Sequence, residues 1–183
     1  MSELRFPPAL GCLLALAAGV LTTLTASPFE LWWLGPVAVG LVYLGIHALT
    51  PGQAALRGWC YGLGLFGSGA SWVYVSIHDY GYTGVPLAVF LTALFVASMA
   101  LILAVTLWLY RRLTGPRLAA LSFAGAWVLG EWLRTWLFTG FPWLLLGSAH
   151  VDSPLAPWAP VGGVYLLSLI TALTGTLLVE FLA

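Results

Sequence analysis

Long apolar stretches alternate with short segments rich in proline, glycine and charged residues along the whole chain. Six such stretches cover residues 8–25, 31–49, 56–77, 85–110, 118–138 and 159–181. Each is close to the ~20 residues that a helix needs to cross a hydrocarbon core of ~30 Å. Because backbone groups in lipid must satisfy one another, we expect helices rather than open strands. The pattern predicts an all-α, polytopic transmembrane bundle of about six membrane-spanning helices, forming a single domain over residues 1–183.

The composition supports a membrane environment. Hydrophobic residues make up 61% of the chain and charged residues only 7%, whereas soluble domains carry roughly 25% charged residues. The six basic residues are scattered arginines, and the chain contains no lysine, so we expect no nucleic-acid partner. Cys12 and Cys60 lack metal-ligand spacing and are interpreted as small residues of membrane helices. Neither a metal nor a cofactor is expected.

The placement of charges predicts an orientation. If six helices alternate in direction, one side carries Arg5, Arg57, Arg111, Arg112 and Arg117. The connections on the other side hold Glu30, Asp79 and Asp152 and no arginine. Since arginine is enriched in cytoplasmic loops, both termini are expected to face the cytoplasm. The alternative, a cleaved signal peptide over the first stretch, would break this charge pattern.

The longest connection, residues 139–158, is unusually apolar for a loop. It contains the run Phe141 to Leu146, and Gly140, Pro142 and Gly147 disfavour a long helix there. We interpret it as an interfacial or re-entrant segment. Trp143 and Trp158 would lie at headgroup depth, where indole meets both an apolar and a polar environment.

Small residues recur on the third stretch at a spacing that predicts close helix packing. They are Gly58, Gly62, Gly64, Gly67, Ser68 and Ser71. Small residues four apart allow helix backbones to approach closely, which stabilises association in lipid. The alternative interpretation is a groove that admits a lipid chain.

Few polar side chains are available for chemistry inside the apolar stretches. Glu131 and Arg134 lie three residues apart and therefore share a helix face. They are expected either to form an ion pair that fixes helix packing or to reach a lipid headgroup at the outer end. His78 lies beside Asp79, but no serine or cysteine nucleophile can be assigned to them, so we expect no catalytic site there. The same holds for His47 and for His150 with Asp152, and His150 and Asp152 are too few to suggest a metal site.

Several motifs together resemble bacterial apolipoprotein N-acyltransferases over essentially the whole chain. They are ASPF at 26–29, GLGLFGSGASWVYVSI at 62–77, EWLR at 131–134, TGFPWL at 139–144 and APVGGVY at 159–165. The resemblance implies a protein of the bacterial inner membrane. It also implies transfer of an acyl chain from a phospholipid to the amino-terminal diacylglyceryl cysteine of a lipoprotein. In that family, catalysis belongs to a nitrilase-like periplasmic domain with a Glu-Lys-Cys triad and a thioester intermediate.

The resemblance covers the N-terminal membrane portion of such an enzyme only. A chain without lysine cannot assemble the triad, so we assign no catalytic residue and expect the 183-residue chain alone to be inactive. It would anchor a catalytic domain, in the same or an adjacent chain, and help to present phospholipid and lipoprotein. Phe141, Pro142 and Trp143, with Glu131 and Arg134 beneath them, are the expected substrate-binding residues. The alternatives are a small transporter or channel, or a non-catalytic scaffold subunit.

Overall fold

The computed structural model describes residues 6–115 and 118–182, and these form helices and connections without a β-strand. The all-α class is therefore confirmed for this part of the chain. The helices are α1 (Pro8–Thr23), α2 (Leu34–Ile46), α3 (Pro51–Gly69), α4 (Trp72–Val75), α5 (Val85–Leu113), α6 (Ala119–Arg134) and α7 (Ala159–Leu182). A π-helical turn, Ser76–Tyr80, follows α4, and the 3-10 turns Leu137–Thr139, Leu146–His150 and Ala156–Trp158 lie between α6 and α7. Arg5 and Arg117, two arginines used to predict orientation, lie outside the described residues.

The third helix begins at Pro51, earlier than the predicted start at residue 56. The Thr50 hydroxyl accepts a hydrogen bond from the Gln53 amide, and the Gln53 side chain accepts one from the Thr50 amide. This capping box satisfies two amides that a helix start leaves without partners. Proline at the first helical position is also favourable. The Thr-Pro-Gly segment, interpreted from sequence as a turn, is therefore the start of α3.

The ends of other helices also differ from the predicted bounds. His78, Asp79 and Tyr80 belong to the π-helical turn rather than to a loop. The predicted end of the fifth stretch at residue 138 is too late, since α6 ends at Arg134. The chain reverses after α6, where Gly140 has φ +86° and the Phe141 amide donates to the Arg134 carbonyl over 2.8 Å. By contrast, α5 is longer than predicted, since it extends past residue 110 to Leu113.

Among the residues that the structure describes, two helices are long and apolar enough to cross a membrane by length and composition, Val85–Leu113 and Ala156–Leu182. The second of these includes α7, which is kinked at Gly162 and Gly163; the φ of +64° at Gly163 suits glycine. α1 and α2 are apolar but shorter. The 13 residues of α2 rise only about 20 Å, so the predicted span 31–49 needs its flanking residues to reach ~30 Å.

The six longer helices of the described chain pack side by side in a closed ring. Its order is α1, α3, α5, α6, α7 and α2. Aromatic rings fill the centre: the Phe123 ring centroid lies 5.1 Å from that of Tyr43 and 5.2 Å from that of Tyr110. The Tyr61 and Trp127 centroids are 5.2 Å apart. These edge-to-face pairs add to the stabilisation from burial, and they fill the centre of the ring where they lie.

The glycines of α3 permit its close contacts with two neighbouring helices. A Cβ added at Gly62 would lie 2.6 Å from the Ala100 Cα, and one at Gly58 would lie 2.5 Å from the Leu103 carbonyl oxygen, both on α5. A Cβ at Gly64 would collide with the Leu16 carbonyl of α1. These positions leave no room for a side chain, so α3 is the central helix of this side of the ring.

Gly67 and Ser71, in the second half of the small-residue series, do not take part in this packing, contrary to the expectation from spacing. No atom lies within 4 Å of a Cβ added at Gly67, and both Gly67 and Ser71 are exposed. Ser68 is also exposed, but its hydroxyl lies 2.7 Å from the Thr23 hydroxyl of α1. Close contact nevertheless continues at Gly69, where an added Cβ would lie 3.1 Å from the Thr23 hydroxyl oxygen and 2.6 Å from the Leu144 Cδ1, so Gly67 and Ser71 are exposed because no neighbour covers them.

Candidate functional site

The connection between α6 and α7 is held onto α6 by a buried guanidinium. Arg134, at the C-terminal end of α6, is 2% exposed. Its Nη1 donates to the Trp143 carbonyl over 2.8 Å, and its Nη2 donates to the Leu144 carbonyl over 3.2 Å. Leu144 has a φ of +59°, so the backbone reverses there and two successive carbonyls reach the same side chain. Arg134 thereby satisfies backbone groups that would otherwise be costly to bury.

Glu131 holds the next part of the same segment. Its carboxyl is 3% exposed, and its Oε1 accepts a hydrogen bond from the Leu146 amide over 2.7 Å. The expected direct ion pair is not formed, since Glu131 and Arg134 do not approach within 4.0 Å. The alternative, in which Arg134 reaches a headgroup, also fails because its side chain is buried beneath the segment. The two residues instead act on one backbone, Arg134 as donor and Glu131 as acceptor, with opposite charges that offset each other.

Side chains of α7 complete the attachment of this segment. The Gly147 amide donates to the Ser168 hydroxyl over 2.8 Å. His150 is buried, with its Nδ1 2.8 Å from the Ser153 hydroxyl and its Nε2 2.6 Å from the Thr171 hydroxyl. Burial lowers the pKa of His150 below its usual value of 6.5, which keeps the imidazole neutral at pH 7. His150 therefore holds the connection against α7 through the Thr171 hydroxyl, and its bond to Ser153 lies within the connection.

An aromatic cluster forms the outward side of the same segment. Phe141 is its hub: its ring centroid lies 5.1 Å from that of Phe95, 6.1 Å from that of Phe66 and 6.4 Å from that of Trp72. The Arg134 guanidinium carbon lies 5.1 Å from the Phe66 centroid, within the range of a cation–π contact. The cluster thus joins the connection to α3, α4 and α5.

Trp143 and Pro142 lie on the surface beside this cluster. Trp143 is 58% exposed, although its ring centroid lies 5.9 Å from that of Trp72, itself 46% exposed. We name the surface formed by Phe141, Pro142, Trp143 and Trp72 the outer aromatic surface. Large exposed apolar surfaces are characteristic of sites that contact a partner or lipid. Its rigid attachment and apolar chemistry suit it to receive hydrocarbon chains.

A more polar recess lies at the same end of the bundle, on its other side. It encloses about 180 Å³ between Thr25, Glu30, Ser148 and Asp152. The connections that carry Glu30 and Asp152 therefore meet, as the alternating arrangement predicts. At the opposite end, the Arg111 Nε donates to the Leu49 carbonyl over 3.1 Å. Acidic and basic connections are thus gathered at opposite ends of the described chain.

Sequence reasoning missed part of this site. Phe66, Trp72 and Phe95 complete the aromatic cluster, and Ser168 and Thr171 hold the connection from α7. The residue type alone marks Trp72 and Trp143 as candidates in the sequence, since tryptophan is characteristic of membrane interfaces. Nothing in the sequence marks Phe66 and Phe95, because buried phenylalanines are common in any apolar helix. Within the described ranges, no group of three histidine, cysteine, aspartate or glutamate side chains could hold a metal ion.

The fold and site define a class of protein: an all-helical, apolar domain that fixes an aromatic surface at one end of a helix ring. The apolipoprotein N-acyltransferase N-terminal domain matches residues 18–177, and the chain belongs to that family. The family predicted from the motifs is therefore confirmed.

Similar proteins carry the same name. The chain is 51% identical to the apolipoprotein N-acyltransferase of Pseudomonas syringae pv. tomato over 172 residues, which are 92% of this chain and 34% of that protein. It is 47% identical to the one of Azotobacter vinelandii over 93% of this chain and 34% of the relative. For Coxiella burnetii the identity is 45%, over 87% of this chain and 34% of the relative. The chain thus spans about a third of the length of these relatives.

Proposed function

We propose that this chain is the membrane domain through which an apolipoprotein N-acyltransferase binds its lipid substrates. The acyl donor is a phospholipid, and the acceptor is the amino-terminal diacylglyceryl cysteine of a lipoprotein. Catalysis comes from a nitrilase-like domain in the same or an adjacent chain, since a Glu-Lys-Cys triad needs a lysine and this chain has none. The chain alone is inactive in acyl transfer. The family membership and the buried attachment of the outer aromatic surface support this assignment.

In this proposal the domain crosses the bacterial inner membrane six times, with both termini in the cytoplasm. The separation of Arg57, Arg111 and Arg112 from Glu30 and Asp152 supports this orientation, since arginine is retained on the cytoplasmic side. The outer aromatic surface then lies at the periplasmic interface. There Trp143 contacts acyl chains through its ring while its indole N–H faces the headgroup layer.

The single observation that carries the proposal is the use of two buried ionisable residues to hold one loop. Glu131 and Arg134 bind backbone groups of Trp143, Leu144 and Leu146. Burying these two ionisable side chains in an apolar bundle is costly, and what they achieve is to fix the shape of the outer aromatic surface. They do not line a polar path through the domain. Ionisable residues inside membrane domains are rare and mark function. The aromatic packing between Tyr43, Phe123 and Trp127 at the centre favours this role over a channel.

The test is acyl transfer by a complete enzyme that carries this domain. Residues 1–183 replace the matching region of the Pseudomonas syringae relative, and transfer from phospholipid to a diacylglyceryl peptide is measured. Trp143→Ala is expected to lower kcat/KM about tenfold, because loss of a ring that contacts both substrates costs on the order of 1.4 kcal/mol of binding. The effect should appear mainly in KM, since the reacting groups remain in place.

The matched control is Trp33→Ala, which removes a tryptophan of similar exposure, 54%, outside the aromatic cluster. It should leave kcat/KM within about twofold of the unsubstituted chimera, because surface substitutions away from a site change little. Equal losses in the two variants would contradict a specific role for Trp143. An unchanged kcat/KM in Trp143→Ala, with normal folding, would reduce the outer aromatic surface to packing.

A further inference from the structure

The bundle holds a second buried arginine, at the end opposite to the outer aromatic surface. Arg57, in the second turn of α3, is 5% exposed. Its guanidinium packs against Gly11 of α1 so closely that a Cβ at Gly11 would overlap Nη1. Nη1 is buried and has no hydrogen-bond partner among the residues that the structure describes. The proposed function uses Arg57 only as a marker of orientation, and neither it nor the family match assigns the side chain a ligand.

A buried guanidinium needs an anion near it. Placing an unpaired charge in an apolar interior costs several kcal/mol. Within residues 6–115 and 118–182, no carboxylate lies within 4.0 Å of Arg57. Glu180, on α7, accepts a hydrogen bond from the Tyr43 hydroxyl over 2.7 Å. The positive charge of Arg57 is therefore not offset by a described side chain.

A cleft of about 340 Å³ opens directly beside Arg57. We name it the inner cleft. Its walls are mostly apolar. They are formed by Phe6, which precedes α1, Pro8 at the start of α1, Leu49 from the connection after α2, and Gln53 and Arg57 from α3. The volume is in the range of small-molecule sites. An apolar cleft with one buried cation at its wall matches an amphiphile that has a negative head and a hydrocarbon body.

Two further features make the inner cleft electropositive. The Arg111 Nε donates to the carbonyl of Leu49, a residue of the cleft wall, so a second guanidinium lies within hydrogen-bond distance of that wall. The N-terminus of α3, capped by Thr50, adjoins the cleft at Gln53. Helix N-termini carry a partial positive charge and favour phosphate.

We propose that the inner cleft binds the phosphate of an anionic phospholipid, with Arg57 as its counter-charge. The walls formed by Phe6, Pro8 and Leu49 then cover the first part of the acyl chains. Basic pockets between membrane helices are known to bind such headgroups. In the proposed orientation this lipid comes from the cytoplasmic leaflet. It is therefore a structural lipid, separate from the substrate at the outer aromatic surface.

The test is lipid retention by the detergent-purified 183-residue chain, measured by native mass spectrometry. Dioleoylphosphatidylglycerol and dioleoylphosphatidylcholine are added at equal concentration. The unsubstituted chain is expected to retain about tenfold more of the anionic lipid: both lipids offer a phosphate to Arg57, but the quaternary ammonium of the choline headgroup cancels the net charge and is repelled by the arginines at this end. Arg57→Gln should abolish the preference. Arg112→Gln, which removes an exposed arginine at the same end, should keep it.

A second variant keeps the test valid if Arg57→Gln does not fold. Gly11→Ala displaces the guanidinium and should weaken the preference, whereas Gly125→Ala, with no atom within 4 Å of the added Cβ, should not. Equal retention of the two lipids by the unsubstituted chain would overturn the proposal. So would a preference that survives both Arg57→Gln and Gly11→Ala.

Two further measurements distinguish a bound lipid from other anions that could neutralise Arg57. Glu3 lies outside the described residues, and a large gain of anionic lipid in Glu3→Gln over the unsubstituted chain would identify this carboxylate as the partner of Arg57 instead. Inorganic phosphate is tested by thermal unfolding. If it raises Tm as much as the anionic lipid does, the site binds phosphate rather than a lipid, and the proposal fails. No stabilisation by inorganic phosphate supports it.

Discussion

Replacing Arg134 by methionine is expected to lower the free energy of unfolding by about 3–5 kcal/mol, the range for breaking a buried charge network. The substitution keeps an apolar stem of similar length. It removes both donors to the Trp143 and Leu144 carbonyls and leaves the Glu131 charge without its neighbour. Unfolding of the detergent-purified chain, titrated with denaturing detergent and followed by tryptophan fluorescence, measures the change.

Two companion variants separate charge from hydrogen bonding. Glu131→Gln keeps an acceptor for the Leu146 amide, so it should cost less than Arg134→Met. Glu131→Gln combined with Arg134→Met removes both charges and should be more stable than the sum of the single changes predicts. Arg112→Met, at an exposed arginine, should have little effect. Equal costs for Arg134→Met and Arg112→Met would contradict the assigned role of Arg134.

Adding one methyl group to α3 is the second large expected effect. Gly64→Ala places a Cβ against the Leu16 carbonyl of α1, where backbone rather than a flexible side chain must move. Overpacking of this kind costs about 1–3 kcal/mol, occasionally more. We expect a loss at the upper end of that range, because both contacting groups lie on helix backbones.

Gly67→Ala is the matched control on the same helix. Nothing lies within 4 Å of its added Cβ, so the variant should be as stable as the parent chain or slightly more so, since alanine favours helix. The same detergent titration compares the two. If Gly67→Ala destabilised the chain as much as Gly64→Ala, the close contact of α1 with α3 would not be what Gly64 provides.

These two glycines show what helix spacing can predict and what it cannot. The four-residue spacing correctly marks α3 as a helix that packs through small residues at Gly58, Gly62 and Gly64. It extends equally well to Gly67 and Ser71, which are exposed. Spacing shows which small residues recur along a helix, whereas the neighbour that each of them meets depends on how the other helices are arranged around α3.

Glu131 and Arg134 show a similar limit. Their spacing correctly places both on one face of α6, and the cost of charge in an apolar stretch indicates that they have partners. The partners are backbone groups of residues 143–146, which the sequence cannot identify, since any residue supplies a carbonyl and nearly any an amide. The start of α3 at Pro51 can be predicted from sequence, because Thr50 and Gln53 form a capping box. The burial of Arg57 cannot, because it depends on contact with Gly11 of another helix.

The proposed function depends on the membrane topology, that is, on which side of the inner membrane each connection lies. Cysteine labelling tests this topology most directly. In a chain with Cys12→Ala and Cys60→Ala, a single cysteine is placed at the exposed Asp152 or at the exposed Arg112. Intact cells with a permeable outer membrane are treated with a thiol reagent that cannot cross the inner membrane. We predict labelling of Asp152→Cys and protection of Arg112→Cys until the inner membrane is opened. Labelling of Arg112→Cys with protection of Asp152→Cys would place the aromatic surface on the cytoplasmic side and contradict the account.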